Sequence, residues 1–308
     1  MRIAVMGAGA LGGYFGGRLQ ASGADVTFIA RGAHLEAMQR NGLRIESPLG
    51  DLHLAKVMAT GDPAEVGPVD IVLFLVKLQD TRTAARAIAP LIGPSTGVLS
   101  LQNGVEAWTW IGEDVGAEHV IGGTALIPAD VREPGVVRHS APFAKLTFGE
   151  FGGAQTDRCT KLLGLLEAAG IEATLVSDIE VKIWEKFVAL SAFSALTTLT
   201  RLPIGPVRSN PECRELLRRA IEETLAVGQK ACPGLSGMLG QGVLDFFDNA
   251  PPGMRSSMLD DLNRGKPIEV EYLSGAVARL APTFGLSAPT HDMVARALAP
   301  FRSGPPEV

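Results

Sequence analysis

The chain has 308 residues, of which 46% are hydrophobic and 20% charged, a globular composition long enough for two domains. Its formal net charge is −5, and an acidic chain without a basic block is a poor candidate for binding nucleic acid. Three widely separated cysteines form no CxxC pair, which argues against a zinc site or a disulfide framework and fits a reducing cytoplasm.

The sequence also predicts no membrane partner. Its longest uncharged stretch of helical character, Phe187–Thr200, has 14 residues, fewer than the roughly 20 that a spanning helix needs. Residues 3–17 superficially resemble a signal peptide, but six glycines interrupt them. We therefore interpret this segment as mature protein and expect a cytoplasmic location.

The first half of the chain alternates β-type runs with helical stretches. This alternation predicts an α/β fold with an N-terminal Rossmann-type, doubly wound, mostly parallel sheet over residues 1–176. The predicted strands are residues 3–6, 25–30, 43–47, 52–58, 70–76, 97–101, 120–127, 135–139 and 145–148; a helical stretch follows the first strand to about Ser22, and a short helix covers 81–89.

From about Asp178 the pattern becomes helical and predicts an all-helical C-terminal domain over residues 177–308. A long helix over 179–200 ends before Pro203, and Asn210 followed by Pro211 is the N-cap signal of a helix that runs through Lys230. Further helices are predicted over 235–247, 256–263, 268–280 and 290–299.

A GxGxxG motif lies directly after the first strand and opens the first helix; its residues are Gly7, Ala8, Gly9, Ala10, Leu11 and Gly12. In a dinucleotide site the first glycine permits a tight turn, the second lets the backbone approach the pyrophosphate, and the third lets helix and strand pack closely. The helix N-terminus adds N–H donors and partial positive charge. The position of the motif predicts a dinucleotide-binding domain.

The residue after the second strand indicates which dinucleotide binds. NAD sites usually place an acid there for the ribose 2′-OH, whereas this strand is followed by Arg31 and no acid occurs before Glu36. A guanidinium can bind a 2′-phosphate through two charge-assisted hydrogen bonds. The sequence therefore predicts NADP(H), with an ordinary solvated Arg31 as the alternative.

Two more polar residues follow strands of the same predicted sheet. Lys77 follows the strand over 70–76, and Asn103 follows the strand over 97–101. Ligands of open α/β sheets bind at the carboxyl ends of strands, so we expect both residues near the cofactor. A solvated strand-end charge and a simple Asn-Gly turn are the alternatives.

In the helical half, Lys186 lies where a polar helix face meets an apolar one. Partial desolvation would lower its pKa from about 10.4 towards the range of a general acid. Glu269, at the start of a predicted helix, is a second candidate. The alternatives are a lysine with a buried stem or an ion pair and an acid that compensates the helix dipole. The histidines show no ligand spacing, so we predict no metal.

Taken together, these segments resemble the ketopantoate reductases (2-dehydropantoate 2-reductases) from residue 3 to about 295. The matching motifs are GAGALGG, VKLQD, SLQNGVE, PGVVRHS, IWEKF and SSMLDDLNRGKPIEVEYLSG. The resemblance implies NADPH-dependent reduction of 2-dehydropantoate to (R)-pantoate in pantothenate biosynthesis, with hydride delivered to C2.

The resemblance also implies residue roles. Lys186 matches the catalytic lysine that hydrogen-bonds the keto oxygen and donates the proton, and Glu269 matches an acid that contacts the cofactor and arranges the site. Lys77 and Asn103 match cofactor-site residues. Ser257 matches a substrate-binding serine, and Lys186 and Asn103 are expected to contact the substrate too.

Three positions depart from the family pattern, which has substrate-binding asparagines where this chain has Leu190, Ser194 and Ile204. Ser194 can keep one hydrogen bond to the substrate, whereas Leu190 and Ile204 remove amide donors.

Several functional alternatives therefore stay open. One is a reductase of another, more apolar 2-oxo acid, and another is a related dehydrogenase of a hydroxy acid, imine or sugar phosphate. A third is a non-catalytic NADP(H)-binding regulator, which would need neither Lys186 nor Glu269. The expected partner is a small-molecule 2-oxo acid, and the sequence leaves a homodimer open.

Overall fold

The computed structural model describes residues 1–306, and the described chain divides into two compact units. The first unit comprises Met1–Gln102 and Ala107–Ile179, and the second comprises Asn103–Glu106 together with the chain from Glu180 onward. The four residues of the 103–106 segment thus belong to the helical unit. The assignment of cofactor binding to residues 1–176 and of substrate and catalytic residues to 177–308 stays a prediction.

Over the described residues, the first unit forms an eight-stranded sheet in the order β12-β11-β8-β7-β6-β1-β2-β5 and a four-stranded sheet in the order β4-β3-β10-β9. In the large sheet the six strands from β8 to β5 run parallel, while β11 is antiparallel to β8. This confirms the doubly wound, mostly parallel sheet. The strands are β1 (Arg2–Met6), β2 (Asp25–Ile29), β3 (Leu43–Glu46), β4 (Leu52–Leu54), β5 (Met58–Thr60), β6 (Ile71–Phe74), β7 (Gly97–Ser100), β8 (Val120–Leu126), β9 (Ala129–Glu133), β10 (Val136–His139), β11 (Lys145–Glu150) and β12 (Glu172–Leu175).

Helices cover both faces of the large sheet, which explains why its central strands are apolar throughout. All four residues of β6 are buried: Ile71 and Leu73 belong to one hydrophobic cluster, and Val72 and Phe74 belong to another. Alternate side chains of a strand point to opposite faces, so the two clusters are the cores on either side of the sheet. The helices of this unit are α1 (Ala10–Ala21), α2 (Gly32–Asn41), α3 (Thr81–Ala87), α4 (Ala107–Val115) and α5 (Asp157–Ala168).

The winding direction of the sheet reverses at β1, which lies between β2 and β6. Such a switch point leaves a crevice at the carboxyl ends of the strands, where ligands of open α/β sheets bind. The GxGxxG loop leaves β1 at this point, with Gly7 at a φ of +93°. A Cβ on Gly7 would lie 2.8 Å from the Val76 backbone N, so both the conformation and the close approach require glycine.

The second unit is helical, and no strand occurs among its described residues. Its central helix is buried from Ser191 to Thr198 on all sides, and Asn210 Oδ1 accepts hydrogen bonds from Glu212 N and Cys213 N. The all-helical C-terminal region and the Asn210 cap are thereby confirmed. The helices are α6 (Ile179–Thr200), α7 (Ile204–Ser209), α8 (Pro211–Ala231), α9 (Leu239–Asn249), α10 (Ser257–Asn263), α11 (Ser274–Thr283) and α12 (Pro289–Leu298).

Within residues 1–306, no helix is both long and apolar enough to cross a bilayer.

Two predicted elements were wrong in detail. The strand expected over 52–58 is two strands, β4 and β5, which lie in different sheets, and sequence alternation carries no information on sheet membership. The helix expected over 268–280 begins instead with a 3-10 turn, Glu269–Glu271, and α11 starts only at Ser274. The sequence pattern also missed several elements: α2, α4, α5, α7, β9 and β12.

We expect Gly12→Ala to destabilise the protein and Gly9→Ala to be much milder. A Cβ on Gly12 would lie 2.2 Å from the Gly7 carbonyl oxygen, whereas a Cβ on Gly9 would meet nothing within 4 Å. Overpacking of this kind costs about 1–3 kcal/mol, while alanine at the N-cap position of Gly9 should cost under about 1 kcal/mol. Urea unfolding of the two variants measures the difference, and equal losses would contradict the close packing of α1 on β1.

Candidate active site

Lys186 on α6 is the candidate acid of the second unit. Its Nζ donates a hydrogen bond to Asn103 Oδ1 over 2.9 Å. Its neighbours Trp184 and Phe187 are buried at 2% and 1% exposure. Burial lowers the pKa of the Lys186 ammonium to about 8, against an opposing effect of the Glu269 carboxylate. The direction of this pKa shift is the one that the position of Lys186 at an apolar helix face predicts.

Glu269 is only 6% exposed and lies between the buried residues Ile268 and Val270. Burial of a carboxylate is costly unless a positive charge or hydrogen bonds compensate it. Its charge acts on Lys186 and raises the pKa of that ammonium. Glu269 therefore does more than compensate a helix dipole, and it lies in the 3-10 turn rather than in the first turn of α11.

The structure brings Asn103 to Lys186, 83 positions away in the sequence. The 103–106 segment packs with the helical unit, and this placement puts an amide oxygen on the ammonium. The loop after β7 thereby supplies a polar group to the candidate acid. No signal in the loop sequence itself indicates this pairing.

The predicted substrate serines differ in their surroundings. Ser194 is fully buried on α6, and its Oγ has no hydrogen-bond partner among the described residues. It lies about 12 Å along the helix axis from Lys186. Ser257 is exposed, whereas Ser256 is buried, caps α10 through Leu259 N, and bonds Thr197 Oγ1 over 2.8 Å. Helix capping thus explains Ser256 and leaves the Ser257 hydroxyl exposed.

Leu190 and Ile204, the two apolar residues that depart from the family pattern, differ in burial. Leu190 is partly exposed on α6 four residues after Lys186, which places it one turn along the same helix face. Ile204 is fully buried at the start of α7. An apolar side chain therefore adjoins the candidate acid, while Ile204 contributes to packing.

In the first unit, the GxGxxG loop is held against the end of β2. The backbone N–H groups of Gly7 and Ala8 both donate to the Ile29 carbonyl oxygen over 3.1 Å. The first turn of α1 follows, and the first N–H groups of a helix have no helical acceptor. Space at Gly9, where a Cβ would touch nothing, leaves the backbone open to a phosphate.

Arg31 and Lys77 are both exposed, and Arg31 is linked to the segment after β6. Its Nη2 donates to Asp80 Oδ2 over 2.9 Å. That bond uses one of the five N–H donors of a guanidinium. Arg31 can therefore still bind an anion while Asp80 orients it.

Gln102 has a structural role that no pattern in the sequence predicts. Its Nε2 donates to the Val76 carbonyl oxygen over 2.9 Å and to Thr81 Oγ1 over 2.8 Å. It joins the segments that follow β6 and β7, so it fixes the strand ends of the first unit. Its position directly before Asn103 was the one available signal.

No cluster of three or more His, Cys, Asp or Glu residues suited to a metal ion occurs over residues 1–306.

Comparisons with known proteins identify relatives over nearly the whole chain. The family model described as ketopantoate reductase PanE/ApbA matches residues 3–153, and the model of its C-terminal region matches residues 178–301. The 2-dehydropantoate 2-reductase of Mesorhizobium japonicum is 32% identical over 96% of this chain and 95% of its own length. That of Archaeoglobus fulgidus is 35% identical over 92% of both chains.

Solved structures show the same architecture. A PanE/ApbA family ketopantoate reductase from Ralstonia eutropha JMP134 superposes with a TM-score of 0.90 at 31% identity and covers 98% of both chains. D-mandelate dehydrogenase with NADH and anilino(oxo)acetate has a TM-score of 0.88 over 97% of both chains, but at 22% identity this likeness shows the fold alone.

We expect the Lys186 ammonium to titrate at about 8 and at a lower pH in Glu269→Gln, because the variant loses a carboxylate that favours the charged form. Reductive ¹³C-methylation of the eight lysines, with Lys186→Arg to assign the signal, allows an NMR titration. Glu180→Gln removes a carboxylate from the first turn of α6 and serves as the control. A midpoint near 10.4, the usual lysine value, would contradict the desolvated site.

Proposed function

The chain belongs to the ketopantoate reductase family, a family of NAD(P)-dependent oxidoreductases, and on that premise we propose that it reduces 2-dehydropantoate to (R)-pantoate with NADPH. The observation that carries the proposal is the Lys186 ammonium, desolvated on α6 and hydrogen-bonded to Asn103. A non-catalytic regulator would have no use for such a group.

Lys186 acts as the general acid. An ammonium has three N–H donors, so Lys186 can donate to Asn103 and also to the keto oxygen of the substrate. As C2 is reduced, that oxygen gains negative charge, which the ammonium stabilises before it donates its proton. A pKa of about 8 keeps the amine protonated at neutral pH, and the Glu269 charge supports that form.

The first unit has the features of a dinucleotide site. Open space at Gly9, the N-terminus of α1 and the tight turn at Gly7 suit a pyrophosphate. Arg31 would bind the 2′-phosphate, and Lys77 adds positive charge after β6. When bound, the reduced nicotinamide supplies the hydride that adds to C2.

A more apolar 2-oxo acid is the second candidate substrate. Leu190 lies one turn from Lys186 on α6, at a position where the family resemblance implies a substrate-binding asparagine. Ser194 and Ser257 keep hydroxyl groups for the substrate, and Asn103 is proposed to contact it. The same fold serves proteins with different substrates, so the side chains near the acid decide specificity.

Replacement of Lys186 tests the acid. We expect Lys186→Ala to lower kcat/KM about 10²–10⁴-fold with little change in the Kd of NADPH. In the unaltered enzyme, kcat/KM for reduction should fall above about pH 8, as the ammonium deprotonates. Lys182→Ala, on the same helix and paired with Glu185, is the control.

The substrate assay compares kcat/KM for 2-dehydropantoate with those of 2-oxo acids that carry branched or aromatic side chains. Undiminished turnover in Lys186→Ala would remove this residue from the mechanism. If kcat/KM for 2-dehydropantoate is no higher than for the other 2-oxo acids, the more apolar 2-oxo acid becomes the proposed substrate.

Reversal of charge at Arg31 tests the cofactor. We expect Arg31→Asp to weaken NADPH binding by about 2–3 kcal/mol and to spare NADH, because a 2′-phosphate would meet a carboxylate in place of a guanidinium. Arg40→Asp reverses a charge on α2, the helix that follows Arg31, where Arg40 pairs with Glu36, and it should affect neither cofactor. Fluorescence titration with both nucleotides measures the ratio, and equal losses would show that Arg31 does not bind the 2′-phosphate.

A further inference from the structure

Arg279 on α11 connects the two segments that act on Lys186. Its Nη2 donates to Glu106 Oε2 over 2.8 Å, and its Nη1 donates to the Glu271 carboxylate over 2.6 Å and to the Glu271 carbonyl oxygen over 2.9 Å. Glu106 ends the segment that begins with Asn103. Glu271 ends the 3-10 turn that begins with Glu269.

The side chain of Arg279 lies back along its own helix to reach these partners. Gly275, one turn earlier on α11, leaves the necessary room: a Cβ there would lie 3.2 Å from Arg279 Nη1 and 3.5 Å from Glu271 Cδ. The side chains of Arg279, Glu106 and Glu271 are 42%, 22% and 43% exposed, so the cluster is only partly solvated. Arg302 Nη1 lies 3.9 Å from the other Glu271 carboxylate oxygen.

The planar guanidinium is suited to this position. It directs two nitrogens at fixed angles, one to each segment, whereas a lysine presents a single point charge. The 3-10 turn is itself closed by hydrogen bonds from Tyr272 N and Leu273 N to the Glu269 carbonyl oxygen. Because the turn is closed in this way, the hydrogen bonds that hold Glu271 to Arg279 also fix the position of Glu269.

We propose that Arg279 is a positioning residue for the proton donor: it holds the 103–106 segment and the Glu269–Glu271 turn at a fixed separation, so that Asn103 Oδ1 and the Glu269 carboxylate act on the same Lys186 ammonium. The proposal rests on the proposed reductase function, because it concerns the acid of that reaction. It assigns Arg279 no contact with substrate or cofactor.

Loss of the Arg279 guanidinium should therefore change the pKa of Lys186, although the proposal gives the two residues no direct contact. The Glu269 carboxylate favours the charged form of Lys186, and the Asn103 amide oxygen accepts a hydrogen bond from it. Glu185, next to Lys186 on α6, is paired with Lys182. Without Arg279 the two groups would lie less close to the amine, which would then lose its proton at lower pH. The keto oxygen would also meet a less well-placed donor.

The decisive experiment measures the Lys186 titration in whole-chain Arg279→Met by ¹³C-methyl NMR, alongside kcat, KM and the Kd of NADPH. We expect the midpoint to fall by about half a pH unit or more, kcat to fall about tenfold, and the Kd of NADPH to stay within about twofold. Arg279→Lys should give a Lys186 midpoint and a kcat between those of Arg279→Met and the unaltered protein, because a lysine ammonium can bind the carboxylate of only one of the two segments.

Four further variants separate positioning from general stability. Glu106→Gln should move the midpoint in the same direction, and its double variant with Arg279→Met should be no worse than Arg279→Met alone. Gly275→Ala retains the charge of Arg279 but crowds its guanidinium, so it should lower the Lys186 midpoint by a smaller amount. It replaces Arg279→Met in the experiment if that variant does not fold. Arg296→Met on α12 breaks an exposed pair with Asp292 and should change nothing.

An unmoved Lys186 midpoint in Arg279→Met, with or without a lower Tm, would overturn the positioning role. That result is distinct from failure of the reductase proposal, which would appear as full turnover in Lys186→Ala. The NMR titration tests Arg279 in either case, because it needs no substrate.

Discussion

The burial of one ammonium group constrains the second unit. Lys186 lies among apolar residues of α6, including Trp184 and Phe187, and its charge loses hydration there. Compensation comes from the Asn103 amide and the Glu269 carboxylate, which belong to segments far apart in the sequence. Both groups act on the single Lys186 nitrogen, so the protonation of Lys186 depends on the conformations of both segments.

The first unit meets a different constraint, the close approach of backbone to backbone at the end of β1. Gly7 adopts a positive φ beside Val76, and Gly12 lets α1 pack against β1. Hydrogen bonds from this loop to Ile29, and from Gln102 to Val76, hold the ends of β1, β2, β6 and β7 in register. A parallel sheet with a switch point therefore presents an open helix N-terminus and Arg31 at one edge.

Reaction type and substrate choice depend on different parts of the molecule. Under the proposed function, the glycine loop holds the cofactor and Lys186 serves the reduction of the carbonyl group. The same proposal assigns discrimination among 2-oxo acids to the side chains near that lysine, where Leu190 lies one turn along α6 and Ser194 carries a buried hydroxyl. Because hydrogen-bonding groups discriminate more strongly than apolar ones, substitutions at these positions change the substrate more readily than the reaction.

Local patterns in the sequence were sufficient for the doubly wound fold class, the long helix α6, the Asn210 cap and the glycine loop, because periodicity, glycine spacing and capping act over a few residues. They also indicated that Lys186 is desolvated, since its helix turns apolar at that point. The partners of Lys186, the Arg31–Asp80 ion pair and the role of Ser256 rather than Ser257 in capping α10 were decided by the tertiary structure alone. Strand alternation over 52–58 could not show that the chain changes sheets there. Contacts between distant segments depend on how loops close and helices pack, and no short-range pattern encodes that geometry.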